Sequence, residues 1–235
     1  MGLSDDLTST VRTIFGSNWT VREMETVPES KDVGLLGNDG VKLDAAILYA
    51  DLAESTTLVR SRSRQFAGEI YKTFLHCAAR IIEAEGGTVT AYDGDRVMAV
   101  FIKVRRHTRA ARAALKINYA VREIINPALA RQYPSETYRT KHFIGIDRSE
   151  VLVARTGVRG ANDLVWVGRA ANYAAKLASV RGSYSTLITE DTYKELADDG
   201  KYSTKDGVKV DMWKALTWNT FDNSRIYGST WQWTV

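Results

Sequence analysis

Two aspartates carry the strongest chemistry in this chain. The segment "ILYADLAEST" (47–56) ends an apolar run on Asp51, and "YDGDRVMAVF" (92–101) puts Asp95 just past an Asp-Gly turn. If the fold makes these strands neighbours, the two carboxylates face each other, and they repel unless positive charge sits between them. Mg²⁺ or Mn²⁺ is the natural filler, because such hard cations take oxygen ligands and are held by one or two carboxylates plus substrate phosphates. Two ions about 3.5 to 4 Å apart can clamp the attacking and leaving oxygens of a displacement at phosphorus. The next stretch, Leu52-Ala53-Glu54-Ser55-Thr56-Thr57, offers backbone N–H groups and hydroxyls to a polyphosphate at a helix N-terminus. A purely structural reading stands beside this one. An Asp before Ser-Thr also serves as a helix N-cap, and Asp93-Gly94-Asp95 also serves as a plain turn.

The elements that would position these groups follow from the pattern of apolar residues. "LDAAILYAD" (43–51) is short and apolar, as a buried strand should be. From about Arg62 to Glu85, Phe66, Ile70, Phe74, Cys77 and Ile81 recur at helical spacing, and Gly86-Gly87 stops the helix. Two strand-like arms around Asp93-Gly94 (88–101) predict a hairpin. A second helix is expected over Thr108 to Ile125, ending before Pro127. Segments 141–155 and 163–168 read as strands and 169–180 as a third helix. Strand, helix, hairpin, helix, strand is the split βαβ order of a ferredoxin-like α/β (α+β) fold, with further strands at the C-terminal end. In that fold the strands of Asp51 and Asp95 are adjacent. Residues 1–41 are polar and read as an N-terminal arm, and 42–235 as one catalytic domain.

Composition narrows the classes of function. The 235 residues are 44% hydrophobic and 26% charged, enough for one sizeable core. The net charge of +4 comes from dispersed basic residues, which suits an anionic small ligand and argues against nucleic acid as a partner. A single cysteine, Cys77, excludes a disulfide within the chain and reads as a buried thiol. No apolar run reaches the roughly 18 residues of a membrane span, so a cytoplasmic protein is expected. His76, His107 and His142 lack metal-ligand spacing, and Arg169 reads as part of a solvated face. Four of the six tryptophans lie from Trp213 onward, where strand-like alternation should close the sheet or a dimer.

Taken together, "ILYADLAEST", "YDGDRVMAVF", "HFIGIDRSEVLVA" and "WVGRAANYAAKL" resemble the ordered blocks of class III nucleotidyl cyclase catalytic domains over about residues 42 to 196. The resemblance implies metal ligands at Asp51 and Asp95, with the backbone carbonyl of Leu52 as a further ligand. It implies a ribose-orienting asparagine at Asn172. Four residues on, where the family usually has a transition-state arginine, this chain has Lys176, a point charge in place of a planar fork. The positions that hold a purine in adenylyl cyclases are Ala91 and Val165 here, and neither side chain can hydrogen-bond a base. Two residues before Asp51, a position commonly Phe in the family is Tyr49, which brings a hydroxyl.

That combination is similar to the pyrimidine cyclases of the bacterial anti-phage systems called Pycsar. The similarity implies conversion of UTP, or else CTP, to the 3′,5′-cyclic monophosphate and pyrophosphate. It also implies two Mn²⁺ or Mg²⁺ ions per site, a homodimer with two shared sites, and a separate effector protein that reads the product. A purine cyclase and a catalytically inactive nucleotide-binding homologue are the other readings. A late lysine, Lys209 or Lys214, would bind the triphosphate.

Overall fold

In the computed structural model, which describes residues 2–35, 37–158 and 160–235, the chain opens with helix α1 (Leu3–Gly16) and strand β1 (Trp19–Glu23). The long strand β2 (Asn38–Leu52) follows, with β1 parallel along its first residues. Side chains alternate across β2, and both faces are covered. Ala46, Leu48, Ala50 and Leu52 enter one core, whereas Val41, Leu43, Ala45 and Ile47 enter another. A strand buried on both faces must be apolar throughout, which is why the segment shows no polar alternation. By the same alternation Asp51 falls on the face of Ile47 and Tyr49.

Two helices come next, α2 (Ser55–Ser61) and α3 (Arg64–Ala84), separated by Arg62 in extended conformation and Ser63, whose hydroxyl accepts the Phe66 N–H at 3.2 Å. Phe66, Ile70, Phe74 and Ile81 are buried as their spacing requires. Cys77 departs from expectation: it is half-buried, at the margin of the helical face and not on its centre line. Strands β3 (Thr88–Asp93) and β4 (Arg96–Phe101) form the hairpin, with Gly94 at φ +61° in its turn. Glycine adopts that left-handed backbone without the usual Cβ penalty.

The second helix is longer than expected. It begins as α4 (Arg106–Tyr119), widens into a π-helical stretch over Ala120–Ile125, and resumes as α5 (Asn126–Gln132), with Pro127 in its first turn. Proline ends a regular helix because it lacks an N–H and its ring clashes with the carbonyl four residues back. Here the wider register, in which Asn126 donates to the carbonyl of Val121, restarts the helix at a point where Pro127 is a first-turn residue.

Strand β5 (His142–Val158) runs antiparallel to β2 over its whole shared length, from Gly40 opposite Ala154 to Leu52 opposite His142. The order β5-β2-β4-β3 is the expected ferredoxin-like core. Strand β6 (Ala161–Val167) folds back on β5, and helix α6 (Arg169–Ser179) then packs over the sheet. Strand β7 (Thr186–Thr189) pairs parallel with β5. A small separate hairpin, β8 (Tyr202–Lys205) and β9 (Val208–Asp211), precedes β10 (Lys214–Trp218) and β11 (Ser224–Ser229), which extend the main sheet beyond β7. Trp213 and Trp218 are buried there, so the aromatic tail closes the sheet. No helix among the described residues is long and apolar enough to cross a membrane.

One glycine sets how closely α6 approaches. A Cβ built on Gly145 of β5 would lie 2.1 Å from the Ala174 carbonyl oxygen and 2.5 Å from the Ala178 nitrogen, both backbone atoms that cannot turn aside. Gly145→Ala is therefore expected to lower the free energy of unfolding by at least about 2 kcal/mol, within the usual overpacking range. Urea unfolding followed by circular dichroism checks this.

Candidate active site

The sheet register brings Asp51 and Asp95 together. Asp51 lies opposite Arg96 of β4 on one side and Phe143 of β5 on the other. Asp95 sits in the turn directly before Arg96, and its carbonyl oxygen accepts the Leu52 N–H at 3.3 Å. That bond ties the tip of β2 to the β3–β4 turn. Leu52 itself is 1% exposed with its side chain in the core, so only its backbone oxygen can serve a ligand.

Asp51 is 7% exposed. Burial pushes its carboxyl above the usual carboxylate range; the neighbouring Asp95 adds to the rise, while Arg181 and Arg96 oppose it. Arg181 makes direct contact, Nη2 donating to Asp51 Oδ2 at 3.0 Å. This arginine lies just past the end of α6, donates through Nη1 to the Ala178 carbonyl at 2.9 Å, and stacks 4.7 Å over the Phe143 ring. Arg96 is turned outward onto Asp93.

Beside this pair lies a cavity of about 460 Å³ lined by Glu54, Ser55, Thr56, Lys141, Phe143 and Arg181, with Gly182. Lys141 Nζ is 3.7 Å from Glu54, and both are exposed. Of the expected backbone donors, Ala53 is already committed: it is buried and its N–H donates to the Lys141 carbonyl at 2.9 Å. Ser55 and Thr56 begin α2, where first-turn N–H groups have no partner within the helix. Glu54 precedes them at φ 58° and points outward.

A second row crosses the sheet one step inward. Ala91 of β3 pairs with Met98 of β4, Met98 with Tyr49 of β2, and Tyr49 with Gly145 of β5. Ala91 and Tyr49 are both half-buried against the same cluster, and burial raises the Tyr49 phenol above its ordinary pKa. Val165 is not in this row. It faces outward from β6, opposite Ala154, with 37% exposure. Asn172 and Lys176 share the exposed side of α6, one turn apart, and the Lys176 ammonium lies 4.4 Å over the Phe221 ring. Within one chain, then, Asp51, Asp95, Tyr49 and Ala91 come together, and Val165, Asn172 and Lys176 form a separate outer surface.

The donor set at the first of these places fits a hard divalent cation: two carboxylates and a backbone carbonyl, all oxygen, beside a basic cavity. Among the described residues no group of three or more His, Cys, Asp or Glu forms a metal cage. A site with so few protein ligands needs others from a substrate, as phosphate-bound Mg²⁺ sites do.

No family model matches the chain. Over 235 residues it is 54% identical to the uridylate cyclase of Xanthomonas perforans, with 100% of both chains covered. Over 236 residues it is 50% identical to the uridylate cyclase of Burkholderia cepacia, again with 100% of both covered. The chain belongs to the uridylate cyclase family. It is a nucleotidyl cyclase. Among solved structures it resembles a bacterial light-regulated adenylyl cyclase, with a TM-score of 0.68 and 19% identity over 86% of this chain and 56% of that one. A guanylyl cyclase matches with a TM-score of 0.65 and 19% identity over 83% of this chain and 95% of that one. The fold is accordingly that of class III cyclase domains.

Several residues take places that their local sequence does not announce. Arg181 was missed, and the only signal was a basic residue directly after the helix of Asn172 and Lys176. Arg169 is exposed, as expected, but it is also ion-paired. It pairs with fully buried Asp147 at 3.1 Å and with Asp191 at 2.7 Å, and so anchors the start of α6. Lys209 bonds Asp198 at 2.6 Å on the small hairpin, and neither it nor Lys214 lines the cavity by Asp51. His107 and His142 are buried, and burial lowers both to about 4, so they stay neutral core residues at pH 7.

Because the folded state holds the Asp51 proton more tightly than the unfolded chain does, ionising Asp51 costs stability. Below the ordinary value of 3.8 the carboxyl is protonated in both states and the cost is absent; it grows as pH rises through the folded pKa and is complete above it. Asp51→Asn should therefore raise the melting temperature of the metal-free protein at pH 7, and the gain should fade as pH drops toward 3.8. Thermal unfolding across that pH range in chelator-treated buffer is the measurement.

Proposed function

We propose that the chain is a metal-dependent uridylate cyclase, converting UTP to 3′,5′-cyclic UMP and pyrophosphate, with CTP the poorer substrate. The observation that carries this reading is the Asp51–Asp95 pair joined through Arg181 to a cavity that Arg181 and Lys141 line, in a chain matching uridylate cyclases over its full length.

Asp51, Asp95 and the Leu52 carbonyl would hold Mn²⁺ or Mg²⁺, two ions per site. When bound, the metal would lower the pKa of the ribose 3′-hydroxyl and neutralise phosphate charge. The protein's own groups do the rest. Lys141 and Arg181 attract the triphosphate, with Ser55 and Thr56 as further donors and Ala53 and Glu54 shaping the turn. Asn172 orients the ribose. The 3′-oxygen attacks the α-phosphorus as its proton passes to solvent, the bond from that phosphorus to the α,β-bridging oxygen breaks so that pyrophosphate leaves, and Lys176 meets the charge on the phosphoryl oxygens.

Asp51 and Asn172 sit on separate surfaces of one chain, which supports a homodimer whose two sites each take metals from one protomer and Asn172 and Lys176 from its partner. In such a dimer Val165 would face the Tyr49–Ala91 row across the interface. Tyr49 would stack on a small ring and reach its edge, while Ala91 and Val165 supply apolar wall without purine hydrogen bonds. Residues 42–235 would form the catalytic unit, preceded by residues 1–41, of which β1 and the first residues of β2 join its sheet. We further propose that the enzyme is cytoplasmic and that its product is a second messenger of anti-phage defence, read by a separate effector.

Purified protein incubated with each nucleoside triphosphate and Mn²⁺ should give cyclic UMP as the main product by mass spectrometry. Faster cyclisation of ATP or GTP would return the chain to the purine cyclases. Asp51→Asn and Asn172→Ala should each be inactive alone and regain activity when mixed, because one site of each mixed dimer is whole. Tyr49→Phe should lose at most roughly tenfold in selectivity for UTP, the worth of one neutral hydrogen bond.

A further inference from the structure

The Arg181–Asp51 ion pair presents a conflict with the metal site proposed above. The Asp51 side chain is 10% exposed and fixed at a strand tip, whereas that of Arg181 is 50% exposed and reaches in from a loop. A buried carboxylate beside a second one needs a positive neighbour, and in this structure the guanidinium supplies it at 3.0 Å. A divalent cation on the same carboxylate would repel that guanidinium at contact distance. The two cations therefore compete for the charge of Asp51, and each weakens the other's hold on it.

Arg181 has somewhere to go. It lines the cavity that also holds Lys141, Ser55 and Thr56, and its flat face rests 4.7 Å from the Phe143 ring, a contact that survives sliding of the guanidinium across the ring. Its planar fork matches a phosphate better than a lysine would.

We propose that Arg181 is an exchangeable counter-ion. It neutralises Asp51 in the free protein, yields that carboxylate to the incoming metal, and moves onto the substrate's phosphate groups in the adjoining cavity. Metal and triphosphate then bind cooperatively, since each removes from Arg181 the partner that competes with the other. The inference rests on the metal-site reading of Asp51 but not on the identity of the base.

The test uses metal-free, full-length protein and probes that carry no base. By calorimetry, Arg181→Gln should bind Mn²⁺ roughly fivefold more tightly than wild type, because the competing ion pair is gone. It should bind inorganic tripolyphosphate on the order of tenfold more weakly, because a charge-assisted contact is lost. Asp51→Asn should bind tripolyphosphate more tightly than Asp95→Asn does, although both remove one negative charge, and the difference should vanish when Arg181→Gln is added. If the Gln variant fails to fold, Arg181→Lys, which keeps the charge and loses the fork, should show the same two shifts in smaller measure. Unchanged or weaker Mn²⁺ binding in the folded variant overturns the proposal, as does tripolyphosphate binding indifferent to residue 181. Both shifts without cyclisation of any nucleotide would sink the cyclase reading and leave the ion exchange standing. Cyclisation of UTP with neither shift would do the reverse.

Discussion

A carboxylate that is nearly out of water beside another carboxylate is the constraint around which this molecule is arranged. Asp51 ends a strand covered on both faces, and its partner Asp95 is brought to it by the turn of the neighbouring hairpin. Such a pair raises the cost of ionisation and is tolerated only where positive charge is at hand. Arg181 provides that charge from one side, and Arg96 contributes at longer range from the other. The unfavourable electrostatics of the free protein are what would make the same place attractive to the divalent cation proposed here.

Holding this arrangement open falls to the backbone. The β2 strand lies at the centre of the sheet, hydrogen-bonded on both sides, so its tip cannot drift. Gly145 lets α6 sit against β5 at backbone distance, and the Arg169–Asp147 pair pins the helix start. The far end of α6 therefore delivers Arg181 to Asp51, while Asn172 and Lys176 stay on its outer side. One helix thus serves two sites, its own and, in the dimer proposed here, the partner's.

The row Ala91, Met98, Tyr49 and Gly145 crosses four neighbouring strands of the sheet. All four lie on the face that also carries Asp51, one register step away. Apolar and glycine positions leave room, and one phenol supplies the only hydroxyl of the row. An apolar wall rejects ligands weakly, whereas a polar group left without its partner rejects them strongly, so in the base-binding role proposed for this row Tyr49 would have most of the discriminating capacity.

Local pattern alone determined a good deal. The apolar run of residues 43–51, the Asp-Gly turn and the helical spacing in Phe66 to Ile81 each express a periodicity of neighbouring residues, and the order of elements limited the sheet to one arrangement. Placing Asp51 and Asp95 together needed nothing further. The tertiary structure decided the rest. Pro127 sits within a continuing helix because the preceding turns widen, an adjustment invisible to a rule that assumes regular spacing. Cys77 is half-buried because the helical face is bounded by what packs on it. Arg181 meets Asp51, and Arg169 meets Asp147, across long separations in the chain. An ion pair between residues far apart in the chain has no periodicity and does not name its partner in local sequence, since its energy depends on distance and burial, and only the packed fold sets those.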